Sequence, residues 1–96
     1  MARTEAERDP VKVLGATIRR LRKAKRLTQN QLGALAEMHG NYVGLIERGE
    51  RNISALNICY LAAALEVSPS ELWQDVTRAD LAALRAKSVK RFRKET

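Results

Sequence analysis

Apolar residues in this chain recur at helical spacing, and polar caps mark where each helix opens. Asp9 followed by Pro10 supplies an N-cap with proline at the first helical position, and Val11, Leu14, Ile18 and Leu21 follow on one face. This pattern predicts a first helix to about Ala24. Thr28 and Gln31 have capping-box spacing, while Leu27 and Leu32 have that of a hydrophobic staple, so a short second helix is expected over about Gln29 to Ala36. A third, from about His39 to Arg48, buries Val43 and Ile46 and ends at Gly49, a residue free to adopt a left-handed conformation. Ser54 opens a fourth helix, with an Ile53/Ile58 staple and the stripe Ile58, Leu61, Ala62, Leu65; Ser68, Pro69 and Glu71 open a fifth with a Val67/Leu72 staple. Thr77 and Asp80 repeat the box for a basic tail helix. No segment alternates with period two over a useful length, and no repeat or low-complexity tract interrupts the series. The expected fold is all-α, five helices followed by a basic tail helix.

Composition narrows the class. Ninety-six residues leave room for one compact core, and 45% apolar with 30% charged residues is ordinary for a globular domain. No stretch approaches a membrane span and the N-terminus has no apolar signal segment, so a cytoplasmic location and no membrane role are expected. Cys59 is a single cysteine with no companion at ligand spacing, which excludes an internal disulfide and offers no metal site. The formal net charge of +7 is unevenly placed. Residues 1–27 carry nine Lys/Arg against three acids (+6), residues 28–77 two against six (−4), and residues 78–96 seven against two (+5). Basic ends around an acidic middle point to a polyanionic partner.

Two short helices joined by a tight turn, after a longer basic helix, suggest a helix-turn-helix unit. The residues themselves resemble the Cro/C1-type (phage-repressor-like, XRE) helix-turn-helix family over about residues 11–76. L-T-Q-x-x-L-x-x-L-A, then Y-V-x-x-I-E-R-G-E-R-N-I-S, then L-A-x-A-L-E-V-S-P-x-E-L occur in the family's order and spacing. The GNYVGLIERGERN segment and the short chain are also similar to the controller proteins of restriction-modification systems. The resemblance implies a lambda-repressor-like domain over residues 10–76, preceded by an extension (1–9) and followed by a basic helix or tail (77–96). It implies a transcriptional regulator, either a repressor or a self-regulating controller, that binds an operator in double-stranded DNA. No cofactor is implied, and no catalytic constellation is present: no Ser/His/Asp set, paired carboxylate site or Gly-rich phosphate loop stands out.

With Val43 and Ile46 inward, Gly40, Asn41, Gly44, Leu45 and Arg48 are expected to face outward toward the major groove. Asn41 has the chemistry to pair with adenine N6 and N7, and Leu45 to press a thymine methyl. Glycines at 40 and 44 suggest a smooth helix face, although the family commonly has a long polar reader where this chain has Gly40. By resemblance, Gln29 binds the phosphate backbone together with Arg48, Arg51 and Asn52, and Arg22 and Glu47 form an internal ion pair that orients Arg22 near a phosphate. Gly33, within the second helix, implies close approach by its partner helix. The family usually has glycine in the turn; here Glu37 stands there and must take the left-handed position at a modest strain cost. His39 reads as a cap or a polar contact near DNA, and Cys59 as a small packed side chain.

A single unit of this size contacts few base pairs, so a homodimer on an inverted repeat is expected. Leu72, Trp73 and Val76 of the fifth helix and Leu81 and Leu84 of the tail are the interface candidates. The tail could instead act as an electrostatic arm; the shared face of Leu81 and Leu84 favours dimer support. A competing class is an antitoxin-like interaction module whose C-terminal tail wraps a protein partner, with DNA binding secondary.

Overall fold

The computed structural model describes residues 9–95, so residues 1–8 of the expected N-terminal extension lie outside the described residues. Among these are six α-helices: α1 (Pro10–Ala24), α2 (Gln29–Leu35), α3 (Gly40–Glu47), α4 (Ala55–Leu65), α5 (Pro69–Leu72) and α6 (Arg78–Glu95). The local caps hold as their chemistry requires. Asp9 accepts from Val11 N at 2.8 Å, the Thr28/Gln31 box closes with bonds of 3.0 and 2.9 Å, and Ser54 accepts from Asn57 N at 3.1 Å. The expected cap at His39 is corrected: it occupies the N-cap position of α3, but its side chain makes no capping bond.

Four helices end by the same device, a left-handed residue followed by an amide that reaches back to the last turn. Arg26, Glu37, Gly49 and Glu66 have φ between 56° and 72°. The following amides of Leu27, Met38, Glu50 and Val67 bond to Arg22, Gly33, Leu45 and Ala62 at 2.8–3.2 Å. Glu37 is thus the turn residue of the α2–α3 pair, held left-handed without glycine.

The core comprises Leu14, Ile18, Leu32, Ala36, Val43, Ile46, Ile58, Leu61, Ala62, Leu65 and Leu72, with the staple residues Leu27, Ile53 and Val67 packed on its rim. α3 sits between α1 and α2, α4 underlies α2, and α5 closes against α1 and α4. The wide covering of α1 explains why it buries Val13 and Thr17 as well as the expected Leu14 and Ile18. Two close approaches depend on missing side chains. A Cβ at Gly15 would run into the carbonyl oxygens of Ile46 and Glu47, the latter at 2.7 Å, and one at Gly33 would meet Met38 O and, at 3.1 Å, Gly40 N. Gly15 therefore sets how near α1 lies to α3, and Gly33 lets the α2–α3 turn close.

Two apolar expectations are corrected. Leu72 is fully buried (0%), because α5 turns it down onto the core, so it offers nothing to a second subunit. Cys59 is exposed, lying one position past the buried Ile58 on the solvent side of α4 beside exposed Leu56 and Tyr60. The tail helix α6 buries only Asp80, which accepts from Thr77 N at 2.8 Å. Just before it, Asp75 anchors the α5–α6 connection to α1 by accepting from Thr17 Oγ1 (3.0 Å) and pairing with Arg20 (3.2 Å). No helix among the described residues is long and apolar enough to cross a membrane.

Candidate nucleic-acid interface

At the crossing of the first three helices, Glu47 collects side chains from two neighbours. Arg22 Nε and Nη2 donate to its two carboxylate oxygens at 2.7 and 3.0 Å, and Gln29 Nε2 donates to Oε1 at 3.1 Å. The third nitrogen of the guanidinium, Nη1, donates to Leu27 O at 2.9 Å, tying α1 to the loop ahead of α2. The Arg22 and Glu47 side chains are only 10% and 2% exposed. The bidentate form suits a buried pair, since the flat guanidinium fork satisfies both oxygens at once. The hydrogen bond to Glu47 raises the Arg22 pKa above the ordinary arginine range; burial opposes that shift and the charge attraction of Glu47 adds to it. Arg22 thus remains a cation and fixes the relative positions of α1, α2 and α3.

The geometry sorts the anticipated site residues. Asn41 is exposed and Leu45 half-buried, one turn apart on α3. Gly44 is buried, and a Cβ there would lie 3.3 Å from Gln29 Oε1 and 3.4 Å from Arg48 Nη1. Gly40 is covered by the Asn30 side chain of α2. The outward glycine face is therefore corrected at Gly44: periodicity tells which side of α3 meets the core, but α2 crosses over the next face, burying Gly44 and leaving Gly40 half-buried against Asn30. The outward surface of α3 is built from Asn41, Leu45 and Arg48.

Gln29, Arg48, Arg22 and Glu47 line one shallow hollow together with Arg19, which the sequence reading missed. Its signal was present, since Arg19 precedes Arg22 by three residues on the same side of α1. Arg48 is exposed and pairs with Glu50 at 3.2 Å. Arg51 and Asn52 belong to a different hollow, shared with Asp9, Val11, Gly49 and Glu50 near the start of α1. The polar groups expected to meet phosphate therefore fall into two clusters. Of the apolar residues expected at a subunit face, Trp73, Leu81 and Leu84 are 41%, 54% and 43% exposed, and Val76 is half-buried. Leu56 (64%) and Tyr60 (37%) on α4 form a further exposed apolar pair that the sequence reading did not single out.

A short helix crossing a second one, locked by a left-handed turn and displaying an amide and a guanidinium on its free side, is a helix-turn-helix unit, the class of domain that enters the major groove. A helix-turn-helix domain family matches residues 13–74. Among curated proteins, the chain is 34% identical to control protein C.SmaI of Serratia marcescens over 64 residues, 67% of this chain and 76% of that protein. It is 39% identical over 64 residues to the HTH-type transcriptional regulator y4dJ of Sinorhizobium fredii, 67% of this chain and 83% of that one. Among solved structures, the restriction-modification controller protein C.AhdI of Aeromonas hydrophila is similar with a TM-score of 0.64 and 45% identity, covering 65% of this chain and 94% of the other. The clp gene regulator ClgR of Corynebacterium glutamicum shares the fold with a TM-score of 0.68 at 20% identity, over 86% of this chain and 88% of the other. The chain belongs to the helix-turn-helix domain family and is a DNA-binding transcriptional regulator.

Proposed function

We propose that the protein binds a short inverted-repeat operator in duplex DNA as a homodimer and controls transcription there, as a repressor or a self-regulating controller acting in the cytoplasm without a cofactor. The observation that carries this reading is the outward surface of α3, Asn41, Leu45 and Arg48, seated on the Arg22–Glu47–Gln29 clamp. In this reading Asn41 reads an adenine edge and Leu45 a thymine methyl. Gln29, Arg48, Arg51 and Asn52, joined by Arg19, position the domain on phosphates, and Arg22 holds the clamp in register. Gly40 and Gly44 contribute by keeping α2 close over α3 rather than by touching bases. Residues 10–76 form the reading domain. Trp73 and Val76 with Leu81 and Leu84 at the start of the tail form the subunit face; Leu72 belongs to the core.

Likeness to proteins called control proteins supports regulation of restriction-modification genes as the biological setting. Selection of bound duplexes from a random pool tests the reading. Enrichment of an inverted repeat with half-sites about 34 Å apart is expected, because two recognition helices must enter successive major grooves on one face. Asn41→Ala should then relax preference at one or two positions and cost about 1–3 kcal/mol on the selected site. A pool from which no sequence is enriched would overturn specific recognition and favour the interaction-module class.

A further inference from the structure

Beyond the family match at residue 74 lies α6, a helix of 18 residues that buries only Asp80. Its cations follow a pattern. Lys87, Lys90, Arg91 and Lys94 stand at i, i+3, i+4 and i+7, one side of the helix, and all four are exposed. Among the described residues none of the four forms an ion pair within 4.0 Å, and the one acid at helical spacing from them is Glu95, four residues after Arg91. Like charges at these spacings repel and weaken an isolated helix. The helix macrodipole favours cations in the last turn only, which accounts for Lys94 but not for Lys87, Lys90 and Arg91. A line of four cations along about 10 Å of helix, at 1.5 Å per residue, matches a polyanion whose charges are also spaced along a line.

Resting on the reading of the chain as a duplex-DNA regulator, we propose that the Lys87–Lys94 stripe of α6 is a second, sequence-independent DNA contact that grips the phosphate backbone flanking the operator. The two halves of the helix then divide the work: Leu81 and Leu84 near its start remain free for the subunit face, and the cationic stripe reaches the flanking duplex. An anionic membrane surface is the less favoured occupant. The side of α6 opposite the stripe carries Val89 and Phe92 but also Arg85, whose charge stands between them and Leu81 and interrupts the continuous apolar face that membrane insertion needs.

The test uses the full chain and a full-chain variant carrying Lys87→Gln, Lys90→Gln, Arg91→Gln and Lys94→Gln, which keeps helix propensity and removes the charge. Binding is followed by fluorescence anisotropy on the selected operator alone and on the same operator with random flanks of about one helical turn, between about 50 and 200 mM salt. The parent should gain tenfold or more in affinity from the flanks at low salt. The variant should show no such gain and a shallower salt dependence, by about 0.9 in logarithmic slope for each phosphate it no longer neutralises. Circular dichroism confirms that the variant is helical, and sedimentation that its oligomeric state is unchanged. Equal gain from the flanks in parent and variant, or no gain in the parent, overturns the proposal; so does parent binding to phosphatidylserine vesicles without a flank effect. Failure of the operator reading looks different. A scrambled site would then bind as well as the selected one, while the difference between parent and variant on flanked duplex would persist.

Discussion

Replacing Glu47 with Gln keeps the shape of the side chain and removes the charge that holds three helices together. The parent carboxylate accepts from Arg22 Nε at 2.7 Å, Arg22 Nη2 at 3.0 Å and Gln29 Nε2 at 3.1 Å. In the variant one oxygen remains to accept, the new amide points N–H groups at a guanidinium, and a cation only 10% exposed in its side chain is left without its counter-charge. Breaking a buried pair from one side costs about 3–5 kcal/mol. Because Arg22 keeps its bond to Leu27 O at 2.9 Å, we place Glu47→Gln at the lower end, about 3 kcal/mol. For a domain of this size that corresponds to a fall in Tm of about 12–24 °C. Urea unfolding followed by circular dichroism measures it, and the double change Arg22→Met with Glu47→Leu supplies the control. Replacing both partners with apolar groups of similar volume is often neutral or stabilising, so the double variant should recover most of that stability. It should still bind DNA less well than the parent, since Gln29 is then without its anchor. If Glu47→Gln unfolds within about 1 kcal/mol of the parent, or the double variant is no more stable than the single, the clamp does not act as a buried charge pair.

Gly15→Ala should cost about 1–3 kcal/mol in the same urea assay, because the added methyl meets the backbone carbonyls of Ile46 and Glu47 rather than a side chain that could swing away. Leu72→Ala should destabilise the chain by about 2–5 kcal/mol, whereas Leu81→Ser with Leu84→Ser should shift the sedimenting species toward monomer and remove only the concentration-dependent part of the stability that dimerisation supplies. If that pair leaves the dimer intact while Leu56→Ser with Tyr60→Ser disrupts it, the subunit face lies on α4. Glu50→Gln should tighten DNA binding modestly, by releasing Arg48 from its exposed pair at 3.2 Å, while Arg51→Ala should weaken specific and random duplex alike and lower the salt slope by about one unit.

Features decided within a few residues were readable from the sequence. The caps at Asp9, Thr28 and Ser54 depend on a side chain and an amide two or three positions away, and the staples on residues five apart, so both are written into the sequence itself. The same holds for the strained turn at Glu37, placed by the motif on either side of it. What the sequence reading missed depends on which element covers which. Helical periodicity marks the core side of α3, yet whether Gly40 and Gly44 are open is decided by Asn30 and Gln29 reaching over from α2. Leu72 and Trp73 are neighbours of similar hydrophobicity, and only the direction in which the four-residue α5 turns makes one fully buried and leaves the other 41% exposed. Gly15 carried no local flag, since a glycine inside a long helix reads only as a weak helix former until the partner backbone is seen against it.

The closure of α2 over α3 also sets how the binding energy must be divided. In the proposed reading, with Gly44 buried and Gly40 half-buried against Asn30, the base-reading surface of one subunit comes down to Asn41 and Leu45, with Arg48 at its edge. A bidentate amide contact discriminates by about 1–3 kcal/mol, so two such side chains cannot by themselves separate one site from the many competing ones in a genome. Doubling the surface by symmetry and fixing its register rigidly are the two remaining routes. The clamp would supply the second: by holding Gln29 and Arg22 on the same carboxylate, it couples the end of α2 proposed to face phosphate to the surface of α3 proposed to read bases. A shift of either helix along the groove then misplaces both. On the proposed reading, phosphate contacts, although blind to sequence, become part of specificity because they decide where Asn41 sits.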